Sequence, residues 1–437
     1  MNNDSLQEFR ELAYGCLGRA HDATFELVDA VLSSRHVYSF AELSQSPLFR
    51  RKWSSTYEAL EDSRPQRNKL MRLYIEQIET EIGRQIVLSG DHTGWPRPDA
   101  QRVQERTYEY QVKGGKGGHS VVAGQGYSTL AWIPEGEGSW ALPLRHERIT
   151  SWESPISKAV WQLKQVCKHL SQRPLSLWDS EYGCASFVLK SAHIKADKLM
   201  RLRSNRNLWG APPAYRGKGR PRLHGDKFKL NDAQTWWSPD EDITAEHLKL
   251  GQVRIRSWEQ VHFRQAAHHP MTLIQVQRFD ESGHPRSGKP LWLVWVGETM
   301  PPLNVLWQHY LRRFMLEHWY RFIKQRLHWC LPKLGSPKSA ERWSDLMPLA
   351  TWQLWLARSL VQDAPLPWQK KLINLTPGRV ADSIAALFVV LGSPARSPKP
   401  RGKSPGWPQG HQRSRKPKCP VVRKRPKRPK NRNKQAA

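Results

Sequence analysis

The order of strands and helices predicted for the middle of the chain is the feature that most constrains its fold. Apolar runs and turn signals such as EGEG indicate strands, while amphipathic repeats indicate helices. In chain order they predict a strand over 86–91, a hairpin over 127–149, a helix over 155–171, a strand over 175–178, a helix over 183–191 and a strand over 197–203. Alternation of this kind predicts a mixed α/β fold in which helices cover a sheet.

The regions on either side differ in character. Apolar residues at helical spacing predict an N-terminal helical domain, and its basic stretch Arg50–Lys52 favours a DNA-binding unit. A plain helical bundle with a solvated basic corner explains that stretch equally well. A further strand over 291–297 and a long helix over 303–329 return the chain to the core, and helices near 340–362 and 376–391 follow. The five predicted parts are the helical domain 1–85, the first core part 86–203, a β-rich insertion 204–290, the second core part 291–392 and the tail 393–437.

The charge of the chain points to a polyanionic partner. It carries 69 Lys and Arg against 39 Asp and Glu, a net charge of +30. The tail holds 16 of these cations, no acid and 9 Pro, which predicts disorder there, but the rest of the chain is basic as well. No amphipathic basic helix with a long apolar face stands out, so nucleic acid is the expected partner and an anionic membrane is not. No apolar run is long enough to span a membrane. Five dispersed Cys without a CxxC pair argue against a structural zinc site.

Three carboxylates stand where a divalent metal site could form. Asp91 and Asp179 follow the apolar residues of two predicted strands, and Glu317 lies on the long predicted helix. Magnesium prefers a few carboxylate oxygens together with water and substrate phosphate. Two such ions can activate an attacking oxygen and stabilise a leaving one in phosphoryl transfer. A single Asp at a strand end is commonly just solvated, so the prediction depends on the three acids together.

A stripe of polar side chains on the long helix supports this interpretation. Tyr310, Arg313, Glu317 and Lys324 fall within roughly 60° of arc on an ideal helix. An apolar stripe is predicted beside them, made of Trp307, Leu311, Phe314, Met315 and Phe322. The combination of one carboxylate, two cations and a phenol suits a metal held close to a phosphate. An ordinary surface pair between Arg313 and Glu317, four residues apart, is the competing explanation.

These motifs together resemble one family. GDHTGWPRP contains Asp91, LWDSEYG contains Asp179, and Y-x2-R-x3-E-x6-K matches Tyr310, Arg313, Glu317 and Lys324. The chain resembles bacterial insertion-sequence transposases of the DDE type, in the cut-and-paste group with the Y-R-E-K motif and a ribonuclease H-like catalytic domain. The segments RLRSNRNLW, GRPRLHG and LTPGRV and the basic tail resemble one bacterial subgroup of these enzymes.

The resemblance implies a ribonuclease H-like core with a β-rich insertion, and a role for each motif residue. Asp91, Asp179 and Glu317 would bind two Mg²⁺ ions, with Mn²⁺ as a substitute, for strand cleavage and strand transfer. The phosphate-holding residues would be Tyr310, Arg313 and Lys324. In relatives a Trp of the insertion stacks on a flipped base, for which Trp236 or Trp237 is the candidate, although either could equally be a core residue. His92 and Glu181, which adjoin the acids, are expected to support them.

The same resemblance implies partners and a location. The substrate would be double-stranded DNA, both the terminal inverted repeats of the element and its target, and a homodimer would hold two ends together. The protein would work in the bacterial cytoplasm, at the nucleoid when bound to DNA. Two alternatives remain: a catalytically inactive or domesticated DNA-binding derivative, and a nuclease for RNA–DNA hybrids. The second accounts for the acids but not for the Tyr-Arg-Lys stripe, the large insertion or the helical N-terminal domain.

Overall fold

The structure is a computed structural model, and it describes most of the chain. The described residues are 3–79, 85–110 and 121–424, apart from 216, 218, 281, 283, 287, 288, 401–405, 407, 413 and 415. The basic loop KGGKGGH and the last thirteen residues of the predicted disordered tail therefore lie outside them. None of the helices in this part of the chain is long and apolar enough to cross a membrane.

Helices begin and end the described chain, and strands fill its middle. The helices are α1 Asn3–Gly15, α2 His21–Ser33, α3 Ser54–Asp62, α4 Arg67–Glu76, α5 Pro155–Cys167, α6 Ala185–Ser191, α7 Leu303–Leu311, α8 Phe314–Gln325, α9 Pro337–Ala357 and α10 Pro377–Leu391. The strands are β1 Val87–Pro96, β2 Thr107–Tyr110, β3 Val121–Trp132, β4 Leu142–Ile149, β5 Leu175–Trp178, β6 Asp197–Leu202, β7 Asn207–Trp209, β8 Lys227–Lys229, β9 Glu241–His247, β10 Gly251–Val261, β11 Met271–Arg278 and β12 Leu291–Val296.

One large mixed sheet organises the molecule. β1 pairs antiparallel with β3 and parallel with β5, and β5 pairs parallel with β6. β2 and β4 pair with different parts of β3, so the order β4-β3-β1-β5-β6 forms a compact five-strand unit. A capping box at Ser154 begins α5, as its Ser-Pro sequence predicts, and this helix connects the hairpin to the parallel strand β5. The predicted mixed α/β fold with a ribonuclease H-like core is confirmed.

Helices cover both faces of this unit. Ser128 on β3 donates a hydrogen bond to Gln162 of α5 at 2.7 Å. The next residue, Thr129, is hydrogen-bonded to His146 of β4, whose ring packs edge-on against Trp319 of α8. Because successive residues of a strand point to opposite faces, α5 lies on one face of the sheet and α8 on the other. Asp91 lies opposite Thr129 in the antiparallel register, which places its side chain on the α8 face.

The strands of the predicted insertion continue the main sheet. β12 pairs antiparallel with β6, and β11, β10 and β9 follow outward in turn. β7 and β8 form a separate two-stranded ribbon. The predicted β-rich character of residues 204–290 is thus present, and its outer strands are hydrogen-bonded to the core through β12. The division of the chain into five parts stays a prediction.

The N-terminal helices pack around α9, which also packs against β4. A buried ion pair joins Arg10 of α1 to Asp29 of α2 at 2.8 Å. Arg50 and Arg51, which the sequence puts forward as DNA-binding residues, both pair with the buried carboxylate of Glu26. These two arginines therefore hold the helical domain together, and a DNA-binding role for the domain stays a prediction.

Two stretches of the segment 393–437 contact the folded body. Near its start, Arg50 and Arg51 donate hydrogen bonds to the carbonyl oxygens of Ala395 and Arg396 at 2.6 and 2.7 Å. Further on, the amides of Cys419 and Val422 donate to the carbonyl oxygens of Gln101 and Arg106 at 2.8 and 2.7 Å. Pro-rich composition predicts neither contact, because both depend on main-chain groups that any sequence carries.

Candidate active site

Parallel pairing between two strands brings the first two acids together. Gly90 of β1 lies opposite Trp178, the last residue of β5, so Asp91 and Asp179 come next on neighbouring strands. A Cβ atom at position 90 would lie 2.0 Å from the Trp178 ring, so only glycine allows this close approach. The two carboxylates are close enough for Asp179 to raise the pKa of Asp91.

Asp91 does not end its strand, contrary to the sequence-based prediction. β1 continues to Pro96 because β3 pairs with it along this whole length, from Leu88 opposite Trp132 to Pro96 opposite Gly124. Only the pairing with β5 stops at Gly90. Asp91 therefore lies where the sheet loses one neighbouring strand and opens, while its backbone stays fixed by the other. Asp179 does follow its strand directly, as predicted.

The long predicted helix is interrupted between Tyr310 and Arg313, the first two residues of the polar stripe. α7 ends at Leu311 and α8 starts at Phe314. Across the junction the amides of Arg313 and Leu316 bond to the carbonyl oxygens of Tyr310 and Arg313, three residues back instead of four. The tighter turn keeps both segments nearly continuous, as happens where a stretch of 3₁₀ geometry enters a helix.

Arg313 connects the carboxylates. Its Nη1 lies 3.4 Å from Oδ2 of Asp91, and its Nη2 lies 2.5 Å from Oε1 of Glu317. The residue is buried, with 4 % of its surface exposed, whereas the Glu317 side chain is 47 % exposed. The guanidinium carbon also lies 5.8 Å from the centre of the buried Tyr310 ring. The predicted i,i+4 pair is present, but it extends to a third residue on a different element.

The electrostatic environment of Asp91 is that of a crowded anionic site. Burial and the neighbouring Asp179 raise the pKa of Asp91 to about 6, although Arg313 and His92 lower it. His92 lies between acids, with Nδ1 3.9 Å from Asp91 and Nε2 3.5 Å from Glu181. The backbone amides of His92 and Glu181 donate to Asp91 and Asp179 at 2.8 and 2.9 Å. His92 and Glu181 therefore lie beside the acids, consistent with a supporting role.

The fourth residue of the stripe approaches β1 two residues further on. Nζ of Lys324 donates a hydrogen bond to Oγ1 of Thr93 at 2.7 Å, and burial lowers the pKa of this lysine. Thr93 lies on the same strand face as Asp91, since the side-chain period is two residues. Sequence reasoning overlooked Thr93, although a polar residue two positions after a candidate acid on a strand is the signal that identifies it.

His146 was also overlooked. It lies beside Thr129 on the neighbouring strand β4, and burial, with a contribution from Lys324, lowers its pKa to about 3. A single histidine in an apolar strand pattern does not predict this position, because the contact with Trp319 depends on how α8 crosses the sheet. The buried ring is hydrogen-bonded to Thr129, which lies opposite Asp91 in the register of β3 and β1.

The acids fit the chemistry expected of a divalent cation site. They offer carboxylate oxygens only, and burial together with the neighbouring Asp179 raises the pKa of Asp91. Among the described residues, no three His, Cys, Asp or Glu side chains are yet arranged around one point as metal ligands. Arg313 lies between Asp91 and Glu317, and the half-exposed Glu317 side chain has room to change rotamer.

Trp236 and Trp237 lie in the aromatic core of the insertion. Trp236 stacks on Phe228 with ring centres 5.8 Å apart, and its indole Nε1 donates to the carbonyl oxygen of Lys229 at 2.7 Å. Trp237 meets the same Phe228 edge-on at 5.0 Å. Both indoles are partly buried, and the Arg256 guanidinium carbon lies 5.5 Å from the centre of the Trp236 ring. Their stacking on a flipped base stays a prediction.

Comparison with known proteins identifies the family. The sequence profile of the DDE superfamily endonucleases matches residues 13–269, which is more than half of the 437 residues, and the chain belongs to this family. The match includes Asp91 and Asp179 but ends before Glu317. No curated protein matches the chain. The prediction of a DDE-type enzyme is confirmed, while the Y-R-E-K subtype and the roles of individual residues stay predictions.

Family membership gives the general activity. The chain belongs to a class of nucleases and transposases that act on DNA, and enzymes of this class generally use divalent metal ions.

Proposed function

We propose that this enzyme is a DNA transposase that binds the ends of an insertion sequence and catalyses strand cleavage and strand transfer. The observation that supports this best is the Arg313 bridge, which connects Asp91 on β1 with Glu317 on α8 while Asp179 stands beside Asp91. Two acids from separate elements thus meet one buried cation, and the third acid lies near one of them. An ordinary surface ion pair between Arg313 and Glu317 would not include Asp91 on β1, and a DNA-binding domain without catalytic activity would not need the acids.

In this proposal Asp91, Asp179 and Glu317 hold two Mg²⁺ ions, which Mn²⁺ can replace. Bound there, the ions supply an activated attacking oxygen and a stabilised leaving oxygen. Arg313 turns from the acids to the scissile phosphate, where its fork of N–H donors offsets charge that develops on the phosphoryl oxygens. Lys324 and Tyr310 hold phosphates on either side, and Trp236 or Trp237 supports a base that leaves the duplex.

The partners follow from the reaction. Two DNA ends must be held together for transfer, so we propose a homodimer in the complex with terminal inverted repeats and target duplex. The basic body and tail supply the attraction to DNA, and the protein is proposed to work in the bacterial cytoplasm at the nucleoid.

The test uses a duplex made from the DNA that flanks the gene. Asp91→Asn, Asp179→Asn and Glu317→Gln are each expected to lower Mg²⁺-dependent cleavage by at least about 1000-fold, because the charge that holds the ions is lost. Duplex binding should change less than about threefold, because these acids do not attract phosphate. Glu8→Gln, an exposed substitution on α1, is the control and should cut at the wild-type rate.

The outcomes separate the two functional classes. A variant that cuts at the wild-type rate contradicts the role of that acid. If the wild-type protein binds the duplex but leaves it uncut at every position, the chain is a catalytically inactive DNA-binding derivative, and the proposed reaction is wrong.

A further inference from the structure

A basic cavity of about 730 Å³ lies between the end of β1, the segment that follows α8 and part of the C-terminal tail. Five cationic side chains line it: Arg97, Arg102, Lys333, Lys416 and Lys418. Asp99 is the one acid among the described lining residues. A concave surface with this charge balance attracts anions strongly, because the low-dielectric walls focus the field.

The tail is built into this cavity by main-chain bonds. The Cys419 amide donates to the carbonyl oxygen of Gln101 at 2.8 Å, and Arg106 donates back to the carbonyl oxygen of Cys419 at 3.3 Å. Val422 forms a parallel bridge with Thr107, the first residue of β2. The tail therefore adds to the edge of β2 as a short extended segment. Lys416 and Lys418, just before it, are held at the rim of the cavity.

Arg97 supplies the buried part of the site. It is 7 % exposed, and Nη2 donates a hydrogen bond to the carbonyl oxygen of Leu334. Its guanidinium carbon lies 5.1 Å from the centre of the Trp95 ring. Nη1 is buried and has no hydrogen-bond partner among the described residues. A buried charged donor without an acceptor is costly, so an anion in the cavity would remove a penalty that the protein otherwise carries.

The cavity continues the line of contacts that runs from the acids. Asp91, Thr93 and Trp95 point to one face of β1, since alternate residues share a face. Arg313 meets Asp91, Lys324 meets Thr93, and Trp329 packs on Trp95 with ring centres 5.4 Å apart. Arg97 comes two residues after Trp95 and directly after the end of β1, so it continues this series. At about 3.3 Å per residue, it lies roughly 20 Å along the strand from Asp91, about six base pairs of duplex.

We propose that this cavity binds a backbone phosphate of duplex DNA, and that the C-terminal tail and the body of the enzyme hold that phosphate jointly. The proposal rests on the proposed function, because it places the duplex that leads away from the acids. It assigns the tail a defined position on the DNA instead of a general attraction. Binding is independent of base sequence, since every residue involved recognises phosphate.

The test measures the affinity for an unrelated labelled duplex over a range of KCl concentrations. Arg102→Gln with Lys333→Gln removes the body cations, and Lys416→Gln with Lys418→Gln removes the tail cations. Each pair is expected to weaken binding roughly tenfold and to reduce the slope of log K against log salt by about 0.9, the value for one phosphate. All four side chains are exposed, so folding should be unaffected, which thermal melting checks.

The control removes two tail cations outside the cavity. Arg396→Gln with Lys399→Gln makes the same change in net charge, and both side chains are exposed. It is expected to weaken binding less than about threefold. If the cavity pairs lose no more than this control, the tail acts only as a diffuse cation and the proposal is overturned.

Combining the two cavity pairs tests whether they hold the same phosphate. Joint binding predicts that the fourfold variant loses less affinity than the product of the two separate losses, because either pair alone already releases the phosphate. Fully multiplicative losses would overturn joint binding.

The experiments distinguish failure of the cavity proposal from failure of the proposed transposase function. Joint binding by a wild-type protein that never cuts would support the cavity and contradict the proposed function. A protein that cuts its end, while the cavity pairs behave like the control, would contradict only the cavity. A wild-type protein that binds no duplex would overturn both.

Discussion

Arg313 takes part both in an ion pair with a nearby residue of the chain and in a contact with a distant element. It is the partner of Glu317 one helical turn away, and it is also 3.4 Å from Asp91 on another element. An i,i+4 pair in solution contributes only a few tenths of a kcal/mol. A buried guanidinium between two acids contributes more, because removing it leaves carboxylates at short range without compensation.

Arg313→Gln is therefore expected to lower end cleavage on the order of 100-fold, the usual effect of losing one donor that stabilises a developing charge. Binding to an unrelated duplex should fall less than about threefold. Gel-based cleavage and anisotropy measure the two effects, with Arg321→Gln, an exposed arginine on the same helix, as the matched control. Equal losses in both assays would make Arg313 an ordinary phosphate contact.

The helical character of this segment was predictable, but its division into α7 and α8, its end at Gln325 and its rotation were not. Residues 303–329 do contain helix, yet the buried residues of α8 are Met315, Leu316, Trp319, Tyr320 and Ile323. The predicted apolar stripe is wrong in part, since Phe314 is 42 % exposed. Aromatic residues with a polar atom decided the rotation: Trp319 packs inward because its Nε1 reaches Oγ1 of Thr351 on α9 at 2.9 Å. A helical wheel cannot show which partner a neighbouring element offers.

The strands were more predictable than the helix, because alternation along a strand is local. The parallel strand β5 has the bounds that the sequence indicates, Leu175–Trp178. β1 is longer than its apolar run, because polar residues from Asp91 onward pair with β3 instead of entering a core. The acids were identifiable from motif spacing, whereas Thr93, His146 and the docked tail depend on contacts across hundreds of residues.

The packing between β4 and α8 leads to a prediction about acid stability. Burial depresses the pKa of His146 from its ordinary value near 6.5 to about 3. The folded state then keeps the ring neutral while the unfolded state takes up a proton. Stability from this group is present above about pH 6.5 and is lost as the pH falls towards 3.

Between pH 7 and pH 5 this loss amounts to about 2 kcal/mol for the wild-type protein. His146→Gln, which cannot take up that proton, should lose about 2 kcal/mol less over the same interval. Urea unfolding at both pH values measures the difference, and the exposed His318→Gln is the control. An identical pH dependence in His146→Gln and wild type would contradict the buried, neutral state of the ring.

The N-terminal helices and the first residues of the C-terminal tail contact the same group of packed helices. The N-terminal helices pack on α9, α10 packs on α2 and α9, and Arg50 and Arg51 hold the first residues of the tail. The second tail contact, at Cys419 and Val422, is made to Gln101 and Arg106, which follow the last residue of β1. The tail is thus anchored at two places, and Lys416, Lys418, Arg423 and Lys424 flank the second in sequence.

Two truncations test what this anchoring contributes. Removing 425–437 takes away 6 of the 16 tail cations and leaves both anchored stretches in place. Removing 393–437 takes away all 16 and both anchors. If the cations of the two anchored stretches bind DNA more than the other tail cations do, the longer deletion should flatten the salt dependence of duplex binding by more than its share of charge. We expect the slope of log K against log salt to fall by about 1 for the shorter deletion and by about 4 for the longer, at about 0.9 for each phosphate that the protein no longer neutralises. Reductions in the 6-to-16 ratio of the charges would mean that the tail acts only as a diffuse cation, and an unchanged slope would remove it from the interface.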